Sequence, residues 1–502
     1  MPHLIDVGGQ QFAVELTPQS PDAVPIPDSG GVILPAGRVA ILHGMREGAQ
    51  FYRHGWNSWS PSGWRSLSQP PMRVPTLERR MTFDDVAWDD PGRHHAAGLA
   101  AITRGDGTTL LLGALGGDVP RVSADDDTLA GWYETSPAPW FVACGSEEEV
   151  FGAYADALSR HRSLARPRNS TGPVWCSWYS YYEDISESQM HSDLGDLRGL
   201  PFDVVQIDHG WAADVGDWQP NAKFPSGMDA LAARIAEAGF VPGLWLAPFI
   251  ALPTSRILRE RPHLFLRDRD GELVTAGNWD GPYHALDLTL PEALDHLTTM
   301  ISTAVGWGYR YLKLDFLFSA AVVAERHKEI GREQAYREAI SMIRSVAGDD
   351  VYLLGCGAPV LPSLGVFDGL RIGPDVNAFW RNYNAPNDDP SDARGETSFL
   401  NSLNRLWLRP LIDLDPDVVY FRTRENLLTT KERQLLRDLA EVCNFLATSD
   451  PPSWLLPDEL DLMTSYLTRQ PSIRQLGRYR FAIGSREVDF APHVAASPVW
   501  GR

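Results

Sequence analysis

Along the chain the apolar positions change rhythm twice. Up to about residue 165 they fall in short β-rich runs such as "GGVILPAGRVAIL" and "TTLLLGAL", broken by Gly, Pro and Asp turns. Frequent turn signals with few helical periods predict an antiparallel β-sandwich. From about Val174 to residue 450, short apolar runs alternate with longer segments of helical period. The runs are "VWCSWYSYY", "FDVVQIDHG", "FVPGLWLAPF", "YRYLKLDFLF", "VYLLGCGAP", "GLRIGPDV", "RLWLRPLI" and, more weakly, "VCNFLATSD". Eight strand candidates in this α/β texture predict a (β/α)8 TIM barrel. Segments such as "MDALAARIAEAGF" and "PEALDHLTTMISTAVGWGY" carry apolar residues three and four apart and end in glycine, as the amphipathic helices of a barrel's outer ring should.

A doubly wound sheet gives similar alternation. The barrel is favoured because almost every run ends in polar or aromatic residues, and barrel sites gather where strands end. The expected divisions are an N-terminal sandwich over 1–165, a barrel over 166–450 and a small C-terminal β appendage over 451–502. "SRHRSLARPRNSTGP" reads as the linker at the first division, and "LGRYRFAIGSREVDF" alternates like a terminal hairpin.

Composition narrows the partners. The net charge of -20 argues against nucleic acid, which is bound by clustered Lys and Arg. No apolar run approaches the roughly 20 residues that span a bilayer, so no membrane partner is expected. "MPHLIDVGGQQF" lacks a basic n-region and an apolar h-region, which points to the cytoplasm. The 4 cysteines, Cys144, Cys176, Cys356 and Cys443, show neither CxxC pairing nor zinc-finger spacing, so free thiols, no metal and no cofactor are expected. The 17 tryptophans, several beside Gly, Ser, Asp or Asn, change the picture most. Each offers a flat apolar face and an N–H donor, which suits a sugar ring, although core packing accounts for many of them.

If the runs are parallel strands, their C-terminal residues share one face. In order these are Trp178 and Tyr179, Asp208 and His209, Trp245, Lys313 and Asp315, Cys356, then Arg371 and Asp375. Two carboxylates are the minimum for glycoside cleavage. Asp315 stands two residues from Lys313 and so on the same strand face, where the cation should hold it ionised as a nucleophile requires. Asp375 follows the Gly-Pro turn of "RIGPDV" and could swing over the substrate as general acid, with Arg371 tuning either carboxylate. Taken singly, each aspartate could equally cap the helix after its strand; their joint occurrence favours chemistry.

The segments "WCSWYSYYEDI", "QIDHGW", "GDWQPNAKFPSGM", "GLWLAPF", "YLKLDFLFSA", "LGCGAPVLP" and "RIGPD" resemble, in the same order, the α-galactosidases of glycoside hydrolase family 36, and "HGWNSWSP" is similar to that family's N-terminal motif. The resemblance implies the same three-part fold and retaining hydrolysis of terminal α-galactosides without metal. Asp315 takes the nucleophile's place and Asp375 that of the acid/base. Trp178, Asp208, Trp245, Lys313, Cys356 and Arg371 match residues around the galactose, although Trp245 and Tyr179 could equally be barrel core and Cys356 a small buried thiol. Trp56 and Trp59 could pack within the sandwich or reach over the barrel mouth.

The expected partner is an oligosaccharide or simpler glycoside, and a homo-oligomer is left open. A transglycosylase, an α-glucosidase or a β-L-arabinopyranosidase of the same clan would share the carboxylates; a non-catalytic carbohydrate-binding barrel would not need them. The family pattern has two consecutive aspartates where this chain has Asp208 and His209, and both bind the O4 and O6 side of galactose. Imidazole offers a different set of donors and acceptors from carboxylate, so this is where the sugar specificity is most open to change.

Overall fold

The computed structural model describes residues 3–18, 26–84, 89–164, 170–279 and 281–500. The N-terminal region is built from two antiparallel sheets of six and seven strands. Val14, Val39, Ile41, Ile102, Leu110, Leu112, Val122 and Trp140 fill the space between them. In the strand Thr109–Ala114, Leu110 and Leu112 face that core, while Leu111 points the other way into a second core with Phe151 and Tyr154. Burial on both faces is why "TTLLLGAL" reads as a continuous apolar run rather than an alternating one. The covering element is the helix Glu147–Arg162, started by a capping box in which Ser146 and Glu149 satisfy each other's backbone N–H groups.

Residues 165–169 of the expected linker lie outside the described residues. The barrel then begins with β1 (Val174–Cys176) and continues through β2 (Val204–Ile207), β3 (Val241–Leu246), β4 (Tyr311–Leu314), β5 (Tyr352–Gly355), β6 (Gly369–Arg371), β7 (Asp413–Asp415) and β8 (Ala447–Thr448). These eight strands pair in parallel in that cyclic order, β8 lying beside β1. Val419, just beyond β7, pairs in parallel with Thr448 and closes the ring.

One strand differs from expectation. The run "RLWLRPLI" is not a strand: Leu406–Leu408 is a 3-10 turn, and the seventh strand is the short acidic segment Asp413–Asp415 that follows. The segment from 451 opens with helix rather than β structure, Pro457–Leu467, whose Tyr466 hydroxyl donates to the Arg437 carbonyl of helix Thr430–Cys443. The expected hairpin follows as Arg480–Ile483 and Arg486–Asp489, with Ile473–Gly477 adding a third strand. Among the described residues no helix is long and apolar enough to cross a membrane.

The sandwich is locked to the barrel by Arg405, whose side chain is completely buried. Its guanidinium donates to the carbonyls of Asn57 at 2.6 Å, Ser60 at 2.8 Å and Ile372 at 2.7 Å, and also to that of Ser58. Among the described residues no carboxylate pairs with it, and burial pushes its pKa down to about 10. The loop "GWNSW" is thereby fixed over the strand ends: Ser58 N–H donates to the Ala358 carbonyl at 2.9 Å, just beyond β5.

Candidate active site

A cavity of about 190 Å³ opens at the C-terminal ends of the strands. Trp59, Trp178, Asp208, His209, Trp245, Lys313, Asp315 and Asp375 all line it. Larger cavities of about 420 and 400 Å³ lie beside helix Glu147–Arg162 and helix Pro291–Gly306, and neither reaches Asp315 or Asp375.

Asp208 follows β2 and is the most tightly held carboxylate of the lining. Lys313 Nζ donates to its Oδ2 at 2.8 Å, Gln206 Nε2 at 2.9 Å and the Cys176 thiol at 3.5 Å, while His209 N–H donates to Oδ1 at 2.9 Å. Burial pushes its pKa up, but Lys313, Gln206 and the His209 N–H together outweigh burial and hold it below the usual carboxylate range. The ammonium responds in kind: burial opposes its charge, and Asp208 holds it well above the ordinary lysine value. Both side chains are buried, so removing either would strand a charge at a cost of about 3–5 kcal/mol.

This pairing qualifies the expectation for Lys313: its hydrogen bond goes to Asp208, while its charge opposes burial at Asp315 without holding that carboxyl below its usual value. Strand β4 ends at Leu314, so the two-residue alternation no longer governs Asp315, and Lys313 reaches across β3 to the end of β2. Asp315 is instead held by Trp245 Nε1 at 3.1 Å on Oδ2 and by Phe316 N–H at 2.8 Å on Oδ1. Burial pushes its pKa above the usual carboxylate value, although Lys313 and these two donors work against burial.

Asp375 lies in the loop after β6, and its side chain keeps 45% of its surface open to the cavity. Burial beside the charge of Asp417 pushes its pKa up to about 6, with Arg371 and Lys313 opposing. Arg371 itself stands behind the lining. Its Nη1 lies 3.3 Å from Asp375 and 2.8 Å from Asp417, and its Nε donates to Asp415 at 3.0 Å.

Trp59 and Trp56 part company. Trp59 sits edge-on to Phe316, with ring centroids 5.2 Å apart, and lies on Gly357, where a Cβ would come within 3.1 Å of the indole. Trp56 is outside the lining: its Nε1 donates to Glu333 at 2.8 Å, on the helix Arg332–Ala347. Tyr179 is also outside the lining, fully buried, with its hydroxyl donating to Asp417. Cys356 is buried just past β5 and does not line the cavity, so its expected place in the pocket wall is not what the structure shows. His209 does line it, with its ring 4.7 Å from that of Trp279 and 5.0 Å from that of Trp245, and Nε2 3.4 Å from Glu183. Burial holds the imidazole below its ordinary pKa, so it is neutral near pH 7. Gly210 follows at φ 115°, where a Cβ would strike the Glu183 carbonyl oxygen at 2.7 Å.

Several lining residues gave no signal in the strand-end argument. Trp279 and Asn278 come from the loop strand Thr275–Asn278 and its end, where "GNW" carries the Trp-beside-Asn texture of the other site tryptophans. Arg79 and Phe83 arrive from the sandwich on the helix Leu77–Phe83, a long-range placement that no local pattern encodes. Among the described residues no cluster of three or more His, Cys, Asp or Glu could hold a metal ion.

Fold and site together define the class: this is a (β/α)8-barrel glycosidase. The Melibiase family model matches residues 140–347. The α-galactosidase of Thermus thermophilus, solved with p-nitrophenyl α-D-galactopyranoside, superposes with a TM-score of 0.90 at 41% identity, over 98% of this chain and 100% of that one. Among curated proteins, α-galactosidase AgaA of Geobacillus stearothermophilus is 26% identical over 183 residues, 34% of this chain and 24% of that protein. A probable α-galactosidase C of Aspergillus flavus is 26% identical over 209 residues, 37% of this chain and 27% of that protein. The matched stretch thus spans about a quarter of the length of these curated relatives. The chain belongs to the α-galactosidases of glycoside hydrolase family 36, the melibiases.

Proposed function

We propose that the protein releases terminal α-galactose from oligosaccharides with retention of configuration, Asp315 acting as nucleophile and Asp375 as acid/base. The observation that carries this reading is one small cavity in which, besides the salt-bridged Asp208, two aspartates stand in unlike surroundings. Asp315 accepts two N–H groups and is fixed at a strand end; Asp375 is raised to about 6 and open to the cavity, as a proton donor should be. The relative at 41% identity was solved with a p-nitrophenyl α-galactoside, and again, at 40%, with stachyose. Those ligands fit the substrate class proposed here.

In the first step the Asp315 carboxylate forms a bond to the anomeric carbon while the bond to the leaving oxygen breaks, and Asp375 gives that oxygen its proton. In the second, Asp375 takes a proton from water, whose oxygen displaces Asp315 and frees the sugar. The charge of Asp315 is one of the influences raising Asp375. Esterification removes that charge, so the proton affinity of Asp375 falls as its role changes from acid to base.

Around the sugar, Trp59, Trp178, Trp245 and Trp279 supply apolar faces, and Asp208, His209 and Lys313 supply hydrogen-bonding groups. On this reading residues 1–165 contribute Trp59 to the pocket wall and the barrel contributes the carboxylates. All four cysteines are free, which suits the reducing cytoplasm expected from the sequence. A homo-oligomer is compatible with this reading, and analytical ultracentrifugation would decide it.

The test is to trap the intermediate. A fluorinated α-galactosyl fluoride that slows the second step should inactivate the enzyme one-for-one, and peptide mass spectrometry should find the sugar on Asp315. An adduct on any other carboxylate would overturn the assignment.

A further inference from the structure

Behind Asp375 lies a carboxylate that the proposed chemistry leaves unused. Asp417 stands two residues beyond β7 with its side chain completely buried and a φ of 82°, a left-handed conformation that few residues other than Gly, Asn and Asp adopt readily. It is held from all sides. Its Oδ2 accepts the Tyr179 hydroxyl and Val376 N–H at 2.9 Å and lies 2.8 Å from Arg371 Nη1 as an ion pair, and its Oδ1 accepts Val418 N–H at 2.7 Å. Its own N–H donates to Asp415 Oδ1 at 2.8 Å. Such a strained, over-determined residue beside a reactive group is where positioning roles are found.

The arrangement divides one cation between three carboxylates. Arg371 gives its Nε to Asp415, and its Nη1 lies nearer to Asp417 than to Asp375, at 2.8 against 3.3 Å. Asp417 accepts three hydrogen bonds and pairs with Arg371, whereas among the described residues Asp375 accepts one, the 3.3 Å bond from Arg371 Nη1. Where two neighbouring carboxylates compete for one proton, the one with fewer donors keeps it.

We propose that Asp417 is a positioning residue that keeps the proton on Asp375: it draws Arg371 Nη1 to 2.8 Å, nearer than Asp375 at 3.3 Å, and places a buried, hydrogen-bonded carboxyl behind the loop carboxyl. The inference rests on the reading of Asp375 as acid/base. The other titratable groups facing the pair are Asp415, Tyr179, Lys313, Asp315, Tyr420, Tyr182 and Cys176. Burial beside these acids holds the Tyr179 phenol well above its ordinary value, so it remains a donor to Asp417 throughout the working range.

The experiment is the pH profile of kcat/KM for the full-length Asp417→Asn variant, with an α-galactosyl oligosaccharide and with p-nitrophenyl α-galactoside. Asn tolerates the left-handed backbone and keeps an acceptor for Tyr179; Asp417→Gly, which suits φ 82° equally, serves if the first variant does not fold. The basic limb should move to lower pH by about one unit, because Asp375 loses its proton more easily once the neighbouring charge is gone. At pH 7 the oligosaccharide should then lose about tenfold more rate than the nitrophenyl substrate, whose leaving group needs little protonation. A rate that falls evenly at all pH values with the limb unmoved would reduce Asp417 to a packing role and overturn the inference. Azide rescue of Asp375→Ala separates the two claims. If rescue fails, the acid/base reading falls; if rescue succeeds and the Asp417→Asn limb stays put, only the inference about Asp417 falls.

Discussion

The two sides of the cavity solve opposite problems with the same residue type. Asp315, at the end of β4, is gripped by a side-chain N–H and a backbone N–H, so its carboxylate is aimed and its charge partly compensated. Asp375, in a loop, is half-open and shares Arg371, at 3.3 Å, with Asp415 and Asp417, which lie closer to it. Position explains the difference. A strand end offers rigid neighbours on both sides, which suits an atom that must meet the anomeric carbon in line; a loop over buried negative charge favours the protonated form.

The contrast is broken most sharply by deleting each carboxylate in turn. Asp315→Ala should lower kcat on the order of 10⁴-fold for every substrate while circular dichroism stays unchanged, since no other group replaces a nucleophile. Asp375→Ala should depend on the leaving group: on the order of 10²- to 10⁴-fold for an oligosaccharide, and far less for p-nitrophenyl α-galactoside in the first step. Equal losses with both substrates would remove the distinction between the two sides. The next largest effect separates the two tryptophans of the sandwich loop. Trp59→Ala should raise KM by about tenfold with little change in Tm, because the ring lines the cavity. Trp56→Phe should leave KM alone and cost about 1–3 kcal/mol, because it strips buried Glu333 of a donor.

How much of this was legible in the chain follows from where each signal lives. The ends of β2 and β4, with Asp208 and Asp315, could be read because apolar runs that stop at a polar residue are local patterns. Strand β7 could not: "DLD" is three residues long, and its aspartates bond Tyr352 on β5 and Arg371 on β6, so their polarity looks like a loop. The apolar "RLWL" beside it drew the assignment instead, its hydrophobicity belonging to a 3-10 turn packed behind the barrel. Lys313 opposes burial at Asp315 as its place beside it predicts, but its hydrogen bond goes to Asp208. Alternation along a strand says nothing about which neighbouring strand a long side chain will reach. Asp417 and Arg79 carry no local mark at all; only the tertiary fold brings them to Asp375 and to the cavity.

A gentler way to sharpen the comparison acts on the nucleophile through its donor. With the proposed roles, activity requires Asp315 ionised and Asp375 protonated, so kcat/KM should fall below the pKa of Asp315 and fall again above about 6, where Asp375 loses its proton. Trp245→Phe deletes the N–H that opposes the effect of burial on Asp315. Its carboxyl should become easier to protonate, moving the acidic limb to higher pH by about half to one unit and leaving the basic limb in place. A shift in the basic limb instead would mean that Trp245 serves the other side of the cavity.

The smallest expected effect concerns His209, which lies between the two sides against Trp245 and Trp279. Its ring is neutral near pH 7, held down by burial, and its Nε2 faces Glu183. A neutral imidazole directed at Glu183 offers a sugar hydroxyl at most one further hydrogen bond, whereas a carboxylate at that position would accept two. One hydrogen bond gained or lost at a buried hydroxyl changes binding by about 0.5–1.5 kcal/mol. His209→Asp should therefore change the ratio of α-galactoside to α-glucoside hydrolysis by on the order of threefold to tenfold, read on a panel of p-nitrophenyl glycosides that also includes the β-L-arabinopyranoside. The direction is set by geometry: two acceptor oxygens favour the sugar whose adjacent hydroxyls both point toward the end of β2, and the galactoside should gain. An unchanged ratio would show that sugar choice rests with Asp208 and Lys313, whose buried pair is the same whichever residue follows it.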